Sequence, residues 1–253
     1  MLGKLFGRKA PGPEHDARVP EGVRVYAVGD IHGRADLLRG LHDLIADDAA
    51  AAPGLEKAIV YLGDYVDRGL ESRGVIDLLL DSTPPGVAPV YLGGNHEDAL
   101  LSFLDDFANG PAWVQLGGDA TLYSYGVALS GRLGEQKTLI DAQLGLRQNL
   151  PERHLAFLRG LKPYHEVGGY LFVHAGLRPG VPIDKQEPED LKWIRDECLD
   201  STVDHGRVVV HGHSISLEVE YRPNRVCIDT GAYATGVLTC LVLEGAERRL
   251  LQT

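Results

Sequence analysis

A parallel α/β architecture is what this 253-residue chain predicts, and three features of the sequence point to it. A β-branched, apolar run gives way to a polar loop containing glycine and then to a helical repeat, and this unit occurs three times before residue 108. After Pro163 the chain becomes rich in short apolar runs, two of which end in loops bearing histidine. The composition is that of an ordinary globular chain, with 44% apolar and 24% charged residues.

The elements follow in order. Residues 1–22 hold three prolines and four glycines among mixed charges, and are expected to be a flexible leader. Its first nine residues carry Leu2, Leu5 and Phe6 beside Lys4, Arg8 and Lys9, too little to anchor the chain to a membrane. Residues 23–29 read as a strand ending in Gly29-Asp30, and Leu37, Leu38, Leu41, Leu44 and Ile45 then recur at helical spacing. Residues 57–62 run into Gly63-Asp64 and a helix around 75–80. Residues 87–92 run into Gly94-Asn95 and a helix over 100–107. Residues 108–160 lose this grammar and read as a partly helical insertion, with Gly117, Gly118 and Gly126 interrupting it. Strands are expected at 170–173, 207–210, 225–228 and 237–243. With no repeat of solenoid length, residues 23–253 are expected to form one domain.

Charge and cysteine usage exclude several classes. The 36 acidic residues outnumber 25 lysines and arginines, for a net charge of −11, which argues against a nucleic-acid partner. No apolar run reaches the roughly 18 residues that span a bilayer, and the basic start has no continuous apolar stretch of the secretory kind. Cys198, Cys227 and Cys240 are scattered, so neither a disulfide framework nor a thiolate zinc site is indicated. A cytoplasmic protein with no membrane partner is the expectation.

Five segments carry chemistry: Gly29-Asp30-Ile31-His32-Gly33, Gly63-Asp64-Tyr65-Val66-Asp67-Arg68-Gly69, Gly94-Asn95-His96-Glu97, His174-Ala175-Gly176 and His211-Gly212-His213. Each follows an apolar run, and in parallel sheets the ligand site lies beyond the carboxyl ends of the strands. Carboxylates, imidazoles and an amide without thiolates suit manganese, iron or zinc.

In this order the five segments resemble the calcineurin-like metallophosphoesterases, and within them the phosphoprotein phosphatases of bacterial and phage type, over residues 23–245. The resemblance implies two mixed sheets packed as a sandwich flanked by helices. It also implies two metal ions, with manganese expected and iron or zinc as alternatives. One would be held by Asp30, His32 and Asp64, the other by Asp64, Asn95, His174 and His213, with a shared hydroxide attacking phosphorus in line. His96 would protonate the leaving oxygen with Asp67 orienting it, while Arg68 and Arg195 would hold phosphate oxygens. The Arg195 assignment rests on Trp193-Ile194-Arg195, similar to a Trp-x-Arg segment of bacterial and phage relatives.

The implied activity is hydrolysis of phosphomonoesters, on phosphoserine or phosphothreonine proteins or small phosphoesters. The alternatives are a diadenosine tetraphosphate hydrolase or other phosphodiesterase, and a non-catalytic scaffold. Asp67 and Glu97 favour the first, because the tetraphosphatase branch tends to lack the former and to carry Asp for the latter. His211 is open as a supporting residue, and Trp113 with residues 117–126 is equally open as a substrate wall or core packing. His15, His42, His154, His165 and His205 are assigned to surface or core.

Overall fold

The computed structural model describes residues 17–133 and 135–253. Strand β1 (Val23–Val28) leads to helix α1 (Ala35–Ala50), β2 (Glu56–Tyr61) to α2 (Ser72–Asp81), and β3 (Ala88–Tyr91) to α3 (Asn95–Asp105). Four helices follow: α4 (Gly110–Gln115), α5 (Gly118–Ser124), α6 (Gln136–Asn149) and α7 (Glu152–Arg159). Then come β4 (Tyr164–Val167), β5 (Tyr170–Val173), α8 (Pro188–Trp193), α9 (Asp196–Leu199) and β6 (Val208–His211). The chain closes with β7 (Glu220–Tyr221), β8 (Arg225–Cys227), α10 (Ala232–Thr235), β9 (Thr239–Glu244) and β10 (Glu247–Gln252).

The strands form two mixed sheets, ordered β10-β9-β1-β2-β3 and β4-β5-β6-β8-β7. The parallel pairs are β1 with β2, β2 with β3, β5 with β6, and β6 with β8, while β9 runs antiparallel to both β1 and β10. The period of two along each strand explains the layering. Val25 and Ala27 of β1 pack with Phe172 of β5, Val210 of β6 and Val226 of β8, the interior of the sandwich. Their neighbours Tyr26 and Val28 face the other way, into a core with Leu38, Leu41 and Ile45 of α1 and Val75 and Leu79 of α2. The outer face of the second sheet is covered by Leu177 and Leu191 against Leu171, Val173 and Val209. Among the described residues, no helix is long and apolar enough to cross a membrane.

The structure extends the sequence reading at both ends. Residues 1–16 of the expected leader lie outside the described residues, but its last six are part of the fold. Ala17 and Val19 are buried, Val19 N donates to Gly245 O at 3.0 Å, and Gly169 N donates to Arg18 O at 2.8 Å. Two apolar side chains between prolines and charges give no periodic signal, and only the facing strands reveal the packing. Strands β4, β7 and β10 went unpredicted for the same reason. Each is short or polar, and each lies at a sheet edge, where half the side chains meet water.

One buried histidine has a consequence for stability. His42 of α1 shares a 2.8 Å hydrogen bond between its Nε2 and the Tyr61 hydroxyl, and burial pushes its imidazole down to about 4. The folded protein therefore keeps His42 neutral where the unfolded chain, titrating near 6.5, takes up a proton. The contribution is complete above pH 6.5 and declines as pH falls toward 4. In metal-stripped protein, His42→Gln is expected to shrink the loss of unfolding free energy between pH 7 and 4.5 by about 2 kcal/mol. Denaturant titration at both values checks this, and an unchanged difference would exclude His42 as a source.

Candidate metal centre

All the polar segments singled out in the sequence leave the carboxyl ends of parallel strands. Asp30 and His32 follow β1, Asp64 to Arg68 follow β2, Asn95 opens α3 after β3, His174 follows β5, and His213 follows β6. Two pairs of these loops approach so closely that only glycine fits at the contact. A Cβ on Gly94 would land on Asp64 Oδ1, and one on Gly212 would land on Asp30 Oδ1. Outside glycine, positive φ occurs among the described residues only at His32, Asp64, Asp67, Arg68 and His213, with values from 45° to 71°. Such strain persists only where surrounding structure over-determines it, and here it falls in three of the five converging loops, those after β1, β2 and β6.

Two sets of ligand-capable groups meet at Asp64. Ligand atoms of Asp64, His174 and His213 lie within 4.8 Å of one another, as do those of His32, Asp64 and His96. In the first set Asn95 Oδ1 is 2.9 Å from both His174 Nε2 and His213 Nδ1, and His174 Nε2 is 3.3 Å from Asp64 Oδ1. His174 Nδ1 is 3.0 Å from the Leu62 carbonyl, which fixes its proton there. Burial lowers the proton affinity of His174, so its Nε2 presents a lone pair to two oxygen acceptors. Three acceptors facing one another in a dry site is an arrangement that a cation satisfies.

The second set is oriented in the same way. His32 Nδ1 is 2.9 Å from the Val66 carbonyl, turning Nε2 toward Asp64 Oδ2 at 3.4 Å. Asp30 lies alongside: its Oδ2 accepts from His213 N at 2.9 Å, while its Oδ1 is buried without a partner. Burial, reinforced by the charges of Asp229 and Asp64, raises the Asp30 carboxyl well above its ordinary range. His213 Nε2 is likewise buried and unpartnered. These orphaned acceptors and the oxygen–nitrogen donor set fit a divalent cation at each set.

His96 is held differently. Its Nδ1 is 2.8 Å from Asp67 Oδ2, and its Nε2 is 3.8 Å from Asp64 Oδ2. Burial works to lower its proton affinity, but Asp64 and the bond to Asp67 outweigh that and raise it. Asp67 is itself gripped from the insertion. Trp113 Nε1 donates to its Oδ2 at 3.0 Å, and Thr121 Oγ1 donates to its Oδ1 at 2.6 Å. Trp113, open in the sequence between substrate wall and core, is buried against Phe103 with rings 4.8 Å apart. Thr121→Val, which keeps shape and removes the donor, is expected to lower kcat about tenfold with a smaller change in KM. Steady-state kinetics checks this, and an unchanged kcat would show that Trp113 alone suffices.

Sequence reasoning undervalued two acids. Glu97 is buried, and its carboxylate accepts from Asp64 N and Gly94 N at 2.9 Å and from Tyr65 N at 2.7 Å. It braces the second loop against the third, and its position three residues past Gly94, the N-cap of α3, is the signal that finds it. Asp229, one residue beyond Ile228 after β8, repeats the strand-end pattern of Asp30 and Asp64. Burial raises its carboxyl to about 6, against the hydrogen bond from Gly231 N.

The remaining expected residues are placed as follows. Arg68 reaches His32 Nε2 at 3.0 Å and His96 Nε2 at 3.1 Å. Arg195 is not brought into these contacts. It is exposed, on the wall of a cavity of about 670 Å³ with Trp193, whose ring is 6.3 Å from that of His213. His211 stays behind the centre, with Nδ1 3.0 Å from Gly212 O and Nε2 3.4 Å from an Arg225 nitrogen.

Comparison with known proteins agrees with this geometry. Residues 23–237 match the calcineurin-like phosphoesterase family. The bis(5'-nucleosyl)-tetraphosphatase PrpE (asymmetrical) of Anoxybacillus flavithermus is 29% identical over 234 residues, covering 85% of this chain and 88% of that protein. Serine/threonine-protein phosphatase 2 of Escherichia coli is 28% identical over 225 residues, covering 85% and 90%. A crystal structure of a candidate diadenosine tetraphosphatase shares the fold, with a TM-score of 0.62 over 95% of each chain at 22% identity.

Proposed function

The chain belongs to the calcineurin-like phosphoesterases, and from that premise we propose that it is a metal-dependent phosphomonoesterase acting on phosphoserine and phosphothreonine in proteins. Asp30, His32 and Asp64 would hold one metal ion, and Asp64, Asn95, His174 and His213 a second. Bound there, the ions would supply Lewis acidity toward the phosphoryl oxygens and lower the pKa of a water. The oxygen and nitrogen donor set suits manganese, iron or zinc, and manganese is the expectation carried over from the family resemblance.

The observation that carries the reading is the pairing of His96 with Asp67. An alkoxide from serine or threonine leaves poorly unless it is protonated as the bond to phosphorus breaks. A nucleotide phosphate leaves readily without that help. Here the Nδ1 proton of His96 is anchored on Asp67 at 2.8 Å, which leaves Nε2 as the atom that delivers a proton. Two buried donors, the Trp113 indole and the Thr121 hydroxyl, spend their hydrogen bonds on keeping that carboxylate in place, and the Asp67 N–H in turn donates to Thr121 Oγ1 at 2.9 Å. Arg68, with its guanidinium between His32 and His96, is the cation best placed to take phosphoryl oxygens. Arg195 would approach from the neighbouring cavity wall.

A second reading, hydrolysis of dinucleoside tetraphosphates, is favoured by the Anoxybacillus relative and by two half-exposed aromatic rings beside the centre. Trp193 and Tyr233 are 39% and 36% exposed, and such faces stack on nucleobases. Chelator-stripped protein titrated with Mn²⁺ decides between them, using a phosphothreonine peptide, a phosphodiester and diadenosine tetraphosphate. Metal-dependent peptide turnover exceeding the other two is expected. Brisk dinucleotide cleavage with little peptide turnover would move the activity to nucleotides.

A further inference from the structure

We propose that Tyr233 is a positioning residue, whose ring face is the fixed platform that holds the Arg68 guanidinium over the centre. The inference rests on the phosphoester-hydrolase reading, and not on which phosphoester is native. Arg68 Cζ lies 4.8 Å from the centroid of the Tyr233 ring. The same ring stands edge-on to His32 at 5.5 Å and 84°, so it touches both the cation and the metal-ligand side of the site. Its hydroxyl makes no hydrogen bond among the described residues, which leaves the face of the ring as the interacting surface.

The need for such a platform follows from what else holds Arg68. Its backbone is locked, with φ at +66° and its N–H donating to Gly117 O at 3.1 Å. The long side chain beyond it is steered by contacts with His32 Nε2 and His96 Nε2. Those two nitrogens are the atoms that the proposed reaction needs, one for a metal and one for the leaving-group proton. An N–H edge turned toward phosphoryl oxygens gives up both contacts, and the ring face is what remains to keep the guanidinium from swinging into water.

Tyr233 is suited to that task because its own backbone is pinned. Helix α10 is a single turn, entered and left through left-handed Gly231 and Gly236 at φ 68° and 75°. Gly231 N donates to Asp229 Oδ1 at 2.9 Å, an Arg34 nitrogen donates to Ala232 O at 3.0 Å, and Thr235 Oγ1 donates to Thr230 O at 2.9 Å. Two hydrogen bonds within the loop and one from Arg34, a distant segment, thus fix the turn that carries the ring.

The test is calorimetric titration of inorganic phosphate into manganese-loaded, full-length protein, which needs no turnover. Tyr233→Ala is expected to weaken phosphate binding about fivefold, while Tyr233→Phe stays within about twofold of the wild type. Arg68→Ala is expected to weaken it further, and the Arg68→Ala/Tyr233→Ala double variant to match Arg68→Ala alone. Manganese content and unfolding midpoint are expected to be unchanged in Tyr233→Ala, and KM for an aryl phosphate to rise more than kcat falls. Unaltered phosphate binding in Tyr233→Ala would overturn the proposal, as would additive losses in the double variant or a Tyr233→Phe defect as large as that of Ala. If the binding pattern holds but the wild type turns over no phosphoester, the platform stands and the hydrolase reading fails.

Discussion

Asp64→Asn is expected to retain the fold, bind less metal than the wild type, and lose metal-dependent phosphoester hydrolysis by on the order of 10³-fold or more. Asp64 is the residue common to both ligand sets, with Oδ1 3.3 Å from His174 Nε2 and Oδ2 3.4 Å from His32 Nε2. Burial alone would raise its carboxyl, but the surrounding imidazoles of His174, His96, His32 and His213 overcome that and hold it well below its ordinary range. The charged form is therefore built into the site. Asparagine keeps the volume and tolerates the left-handed backbone at φ 51°, so the brace from Glu97 survives. The amide lacks the negative charge and replaces one acceptor oxygen with a donor. Metal content by elemental mass spectrometry, read beside steady-state rates, checks the expectation. A variant with wild-type metal content and full activity would remove Asp64 from the centre.

The second large effect concerns the leaving group. His96→Asn is expected to keep its metal but to slow alkyl phosphates by roughly 10²–10⁴-fold, with aryl phosphates slowed far less. The reasoning is chemical: a phenolate departs with little proton transfer, and an alkoxide needs it. The structure supplies the geometry, with Nδ1 committed to Asp67 and Nε2 facing Asp64 at 3.8 Å. Rates across a series of substrates of graded leaving-group basicity separate the outcomes. A steeper dependence in the variant supports proton donation, whereas equal slowing throughout would assign His96 to binding. Loss of metal would place it with His32 and Asp64 as a ligand, which the proximity of those three groups makes a genuine alternative.

The ligand-capable residues were legible in the sequence because each occupies a short segment directly after an apolar run. Strand direction and length then carry Asp30, His32, Asp64, Asn95, His174 and His213 to one end of the sheets, with no further information needed. The supporting residues were not legible. Trp113 and Thr121 lie 46 and 54 positions from Asp67, on helices whose periodicity is broken by glycine. Tyr233 is far along the chain from Arg68 and reads as an ordinary residue between small ones. Arg195, picked out by local resemblance, lies between the short helices α8 and α9 and sits exposed on a neighbouring cavity wall.

By itself, then, the sequence determined the α/β layering, the family, and the identity of the groups that meet at the strand ends. Those depend on side-chain period and on loops of a few residues, which are local properties. Tertiary structure alone decided that the insertion grips Asp67, that Glu97 ties two loops together, that Ala17 and Val19 belong to the core, and that Arg68 rests on Tyr233. Each of these is a contact between segments distant in the chain, and no local pattern encodes which distant side chain will fill a given hydrogen bond or face a given ring.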